Sequence, residues 1–205
     1  LGSLNPDGQA KLGRLAPTSR MLSEGGHMLG NHGFSHANFL KQDDAVLRDE
    51  AGRTDTLLQA IGGTRSHLFR FPFGARSQAS LTTLQGLKLR SMLWNVDSLD
   101  WADPVPNSIA ERVLHSVEAE GRGILLFHDI NERTVKALPT ILDRLIAEGY
   151  RFAAWDGSEF KVGEAIVTAG ARAIPTTGYR ERWAVVIGID EYQKRPRLQY
   201  AARHS

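Results

Sequence analysis

Residues 123–155, GILLFHDINERTVKALPTILDRLIAEGYRFAAW, read as strand, helix, strand. Gly123 to Phe127 is a short apolar run, residues 133–148 repeat apolar side chains at strongly helical spacing, and Arg151 to Trp155 is extended again. The pattern continues upstream. Residues 107–120 read as a helix capped by Asn107 or Ser108, Arg90 to Val96 as a strand, 78–86 as a helix and His67 to Phe71 as a strand. Residues 42–61 place apolar side chains among charges in an amphipathic helix closed by Gly62-Gly63. His27 to Gly30 reads as a short buried strand, and residues 17–25 as a helix capped by Thr18 or Ser19. Strands alternating with helices of about 10–15 residues predict an α/β fold with a mainly parallel sheet.

Beyond about residue 160 the character changes. Residues 165–178 are rich in Ala, Gly and Thr, with Pro175, and read as a linker; Trp183 to Ile189 is then a strongly apolar strand. The net charge of +2 is too small to point to nucleic acid or a membrane surface. No apolar run approaches the roughly 20 residues of a membrane span. With no cysteine, disulfides, thiolate metal sites and a cysteine nucleophile are excluded within these residues. Oligomeric state and compartment stay open.

His32 and His36 stand four apart in Asn31-His32-Gly33-Phe34-Ser35-His36, so a helical turn or tight loop can aim both imidazoles at one divalent metal. The segment is not the metalloprotease helix motif, because Gly33 stands where that motif needs Glu. Three more segments lie at strand ends: Arg70-Phe71-Pro72-Phe73-Gly74, Asp97-Ser98-Leu99-Asp100-Trp101 and Leu126-Phe127-His128-Asp129. In α/β sheets and barrels functional residues gather at the carboxyl ends of strands. Singly, Arg70 could be a surface ion pair, the aspartates a turn and His128 a cap; all of them in strand-end positions call for a common explanation.

In order and spacing these four segments resemble motifs two to five of the polysaccharide deacetylases, carbohydrate esterase family 4 or the NodB-homology domain. The resemblance covers about residues 1–160 and implies a distorted, incomplete (β/α) barrel acting on N-acetylated glycans such as peptidoglycan or chitin-like polymers. It implies that His32 and His36 bind a divalent metal, zinc first, with cobalt or nickel as alternatives. It makes Arg70 the partner of a catalytic aspartate, the Phe73 N–H an oxyanion donor, and Leu126 and Trp101 the walls of the acetyl pocket. His128 becomes the general acid and Asp100 the carboxylate that raises its pKa, while Asp97 is expected to make a structural hydrogen bond. Export to the periplasm or cell surface would suit such a substrate.

The family's first motif, Thr-Phe-Asp-Asp-Gly or a close variant, has no match here, and Asp43-Asp44 follows the histidines in a helix. That motif supplies the catalytic base and a third metal ligand. The reading therefore expects it upstream of Leu1, with one or two barrel strands, and expects this chain alone to bind metal poorly. Residues 161–178 are expected as a linker. Residues 179–205, with Arg182 to Tyr192 and then Pro196, Leu198 and Ala201, resemble the opening strand and loop of a caspase-like domain, an initial strand of a second α/β domain. A non-catalytic carbohydrate-binding domain tethered to such a module is the alternative.

Overall fold

Two parallel pairings organise the first part of the chain. In the computed structural model, which describes residues 28–62, 67–156, 158–162 and 183–187, β1 (Leu68–Phe69) pairs in parallel with β2 (Arg90–Ser91), and Asn31 forms a parallel bridge to Phe69. The chain divides into two compact units at Leu93–Trp94.

In the first unit, α1 (Asp44–Gly62) and α2 (Gln78–Gly86) bury Leu47, Ala51 and Leu84 with Phe39, Phe69, Phe71 and Leu89. The rings of Phe39, Phe69 and Phe71 meet edge to face with centroids 5.1–6.0 Å apart, the geometry aromatic quadrupoles favour. Ser77 caps α2 and exchanges hydrogen bonds with Ser80. The buried strand expected at His27 to Gly30 is not found. Met28 is 44% exposed, and among the described residues extended pairing begins at Asn31. His27 and the helix expected at residues 17–25 lie outside the described residues.

The strand expected from Arg90 to Val96 is two, β2 and β3 (Val96–Asp97), each in its own sheet. In the second unit β3, β4 (Gly123–Leu126), β7 (Trp183–Ile187) and β5 (Arg151–Trp155) follow one another in parallel, and β6 (Phe160–Val162) closes the edge antiparallel to β5. Gly123 opens β4 because a Cβ there would stand 2.8 Å from Val96 Cγ2. The core packs α3 (Pro106–Glu120) and α4 (Glu132–Ala147) through Ile109, Val113, Val117, Ala137, Ile141 and Leu145 onto Val96 and Leu125. α3 begins one residue before the expected caps: Pro106 takes the first helical position, where its fixed φ and missing N–H cost nothing, and the Ser108 hydroxyl donates to Asp103 at 2.6 Å.

The strand expected to open a second domain, β7, lies in this sheet between β4 and β5, with Leu126 opposite Ile187. Among the described residues the strands form these two sheets, and no pairing closes them into the barrel that the resemblance implies. The expected linker at residues 165–178 lies outside the described residues. Because Ile141 is fully buried in the core of the second unit, Ile141→Ala should lower stability by about 2–5 kcal/mol in denaturant unfolding, the range for truncating a buried aliphatic chain.

Candidate functional site

Asn31 anchors the histidine loop of the first unit. Buried to 1% exposure, it donates from Nδ2 to the Ala51 carbonyl (2.9 Å) and Asp55 Oδ1 (2.7 Å), both on α1, and its Oδ1 accepts from the Gly33 N–H (3.0 Å). Its main chain is bound to both sides of Phe69 in β1: Asn31 N donates to Leu68 O and Arg70 N donates to Asn31 O. Glu50, also on α1 and 5% exposed, accepts at Oε2 from the Phe34 and Ser35 amides (2.7 Å each) and at Oε1 from the Ser35 hydroxyl (2.8 Å). The loop is thus strapped to one helix by two side chains, and Arg53 stacks on the Phe34 ring at 3.7 Å. Gly33 sits at φ 79°, and a Cβ there would lie 3.3 Å from Glu50 Oε2, so both backbone and space favour glycine at this position.

His32 Nδ1 lies 2.6 Å from the Arg70 carbonyl. A carbonyl only accepts, so Nδ1 carries the proton and the lone pair of the neutral ring is on Nε2, the arrangement found in metal-ligating histidines. The His32 and His36 ring centroids are 5.0 Å apart, and His36 meets the Phe73 ring at 4.4 Å. His36 and Phe73 both adopt φ 60°, a conformation disfavoured for side chains of this size and concentrated at functional sites. Arg70 donates from Nε to Met92 O (3.1 Å) and from Nη2 to Leu93 O (3.5 Å). His32, His36, Arg70 and Phe73 are therefore brought together. As metal donors the two imidazoles fit in type and spacing but are a partial set: among the described residues no group of three or more His, Cys, Asp or Glu that could hold a metal is present.

In the second unit the centre is Asp100, fully buried at the carboxyl end of β3. Its Oδ1 faces His128 Nδ1 at 2.7 Å; its Oδ2 accepts from the His128 amide and the Thr134 hydroxyl, both at 2.6 Å. A carboxylate cannot donate, so the His128 proton is on Nδ1 here as well. Burial alone would raise the Asp100 pKa, but the hydrogen bonds from the His128 ring, Thr134 and the His128 amide, with the imidazole's charge, leave it below its ordinary 3.8. The loop around it is tightly made. Asp97 accepts from Trp94 Nε1 and the Leu99 amide, the structural role expected of it, and Leu99 sits at φ 52°. Arg112 binds the Ser98 carbonyl and Asp103, while Arg133 donates to the Asp100 and Trp101 carbonyls. Trp101 is half-exposed and Leu126 is buried at the end of β4.

Glu50, Thr134 and Arg133 escape a reading of the sequence. Glu50 lies 15 residues from its loop partner on a charged amphipathic helix, and Thr134 lies 34 from Asp100 in what reads as a plain helix start. Only the strand ends hinted at where such partners would be needed.

Two outcomes follow from these buried carboxylates. Glu50→Ala leaves two loop amides without their acceptor, so it should cost about 2–4 kcal/mol and greatly speed hydrogen exchange at Phe34 and Ser35. Asp100 has a folded pKa below its unfolded value, so its contribution is present above the unfolded pKa and is lost as pH falls through the folded one. Asp100→Asn should accordingly be less stable than the natural chain near neutrality, with the gap narrowing as unfolding is measured from about pH 5 to pH 2.

Residues 11–92 match the family model described as polysaccharide deacetylase. The chain is 33% identical over 137 residues to a chitin deacetylase of Arthroderma benhamiae, covering 64% of this chain and 36% of that protein. It is 31% identical over 132 residues to the peptidoglycan-N-acetylmuramic acid deacetylase PdaC of Bacillus subtilis, covering 64% and 27%. The chain spans about a quarter to a half of the length of the curated relatives it matches. Among solved structures it is similar to T48 deacetylase with substrate, at TM-score 0.64 and 28% identity over 74% of this chain and 75% of that one. The chain is thus similar to polysaccharide deacetylases, over residues 11–92 by the family model and over about two thirds of its length by these relatives.

Proposed function

We propose that this domain serves the metal-dependent hydrolysis of N-acetyl groups on GlcNAc-containing glycans of the peptidoglycan or chitin type. The observation that carries the reading is the His128–Asp100 pair: a partly buried imidazole whose Nδ1 lies 2.7 Å from Oδ1 of a fully buried carboxylate. That carboxylate stabilises the imidazolium, which suits His128 to deliver a proton from Nε2 to the amine as the C–N bond breaks. In the balanced reaction water adds to the acetyl carbon, acetate leaves, and the glycan amine takes up the proton.

His32 and His36 would hold the metal, with further donors from outside the described residues. When bound, a divalent cation supplies Lewis acidity toward the amide carbonyl. The Phe73 N–H would donate to the oxygen on which negative charge develops. Arg70, its side chain fixed by the Met92 and Leu93 carbonyls, would favour the ionised form of a catalytic carboxylate. Leu126 and Trp101 would flank the acetyl methyl group. Glycan binding without turnover is the second reading. The caspase-like reading of residues 179–205 rests on the resemblance of the sequence alone.

Acetate release from N-acetylglucosamine oligomers and peptidoglycan, measured on protein containing this chain, tests the first reading. Chelation, His32→Ala or His36→Ala should each abolish release, and full activity in any of them would sink the metal assignment. His128→Ala should lower turnover by about 100-fold or more with metal content retained; loss of metal in equal measure would remove His128 from the acid role.

A further inference from the structure

The first turn of α4 holds Asp100 from two directions. Arg133 binds the main-chain carbonyls of Asp100 and Trp101, and the Thr134 hydroxyl binds the Asp100 side chain at Oδ2. We propose that Thr134 is a positioning residue, whose hydroxyl fixes the Asp100 carboxylate in the rotation that presents Oδ1 to His128 Nδ1.

A carboxylate turns about a broad, roughly two-fold torsion, so a single hydrogen bond leaves its plane weakly defined. Here Oδ2 is gripped by two donors from different elements, the His128 amide beyond the end of β4 and the Thr134 hydroxyl in α4. Together they fix the plane, and Oδ1 is left to the imidazole at 2.7 Å. Helix formation explains little of Thr134. Threonine is a poor helix former, and a hydroxyl at a helix start ordinarily binds the helix's own backbone. Here it is directed to a residue 34 positions away, with the side chain completely buried and its β-branched stem stiff.

The consequence lies in the tautomer. A general acid that gives up the Nε2 proton must finish as the Nδ1–H form, and a correctly turned Asp100 selects that form. The effect on turnover rests on the proposed role of His128, whereas the effect on the tautomer does not.

The test uses nitrogen-15 NMR of the His128 imidazole in this chain, with Thr134→Val, which keeps shape and removes the hydroxyl, and Thr134→Ser, which keeps the hydroxyl. Neutral His128 should be the Nδ1–H tautomer in the natural chain and in Thr134→Ser, and a mixture in Thr134→Val. In deacetylating protein, Thr134→Val should lower kcat about tenfold with KM little changed, and Thr134→Ser should restore it. A folded Thr134→Val that keeps the Nδ1–H tautomer in its natural proportion overturns the proposal. Should the valine variant fail to fold, Thr134→Ala compared with Thr134→Ser decides in the same way. If the tautomer changes but His128→Ala leaves acetate release intact, the positioning stands and the acid role of His128 falls.

Discussion

A carboxyl group withdrawn from water must have its oxygens met by donors, and the candidate site in each unit is organised around one such group. Glu50 collects two amides and a hydroxyl of the histidine loop; Asp100 collects an amide, a hydroxyl and an imidazole. In both cases donor and acceptor come from distant stretches of chain, so the hydrogen bonds can form only when helix and strand end are correctly packed. The apolar cores thus set the site geometry indirectly: Leu47 and Ala51 seat the helix that bears Glu50, and Ala137 and Ile141 seat the helix that bears Thr134. Losing one partner leaves the other buried and unmet, which costs more than the bond contributed when intact.

The fold was legible where periodicity was strong. Residues 78–86 and Arg151 to Trp155 are a helix and a strand with the expected bounds, and the 133–148 pattern lies one residue from the observed α4. It was illegible where one apolar run serves two sheets, as between Arg90 and Asp97, because alternation carries no information about partners. The candidate residues His32, His36, Arg70 and Phe73 cluster, as do Asp100 and His128. Their supports, Glu50 and Thr134, had no local signature, since a buried polar side chain is defined by a partner remote in sequence.

Backbone strain follows the same map. Of the four non-glycine residues at positive φ among the described residues, His36, Phe73 and Leu99 lie in segments already singled out by their chemistry, and Lys88 lies outside them. Such conformations persist only where the surroundings over-determine them. Here the Glu50 and Asn31 straps around the first loop and the Asp97 and Arg112 contacts around the Asp100 loop provide that constraint.

The place of β7 bears on how the second unit is made. It is the last described strand in the chain, yet it lies inside the sheet, between strands that precede it by about 60 and 30 residues. A nascent chain can pack α3 and α4 on β3 and β4 early, but β4 and β5 must wait for residues 183–187 to emerge before they share a continuous ladder. During synthesis the strand edges of β4 and β5 are therefore open, a period of exposure that slow, long-range parallel pairing lengthens.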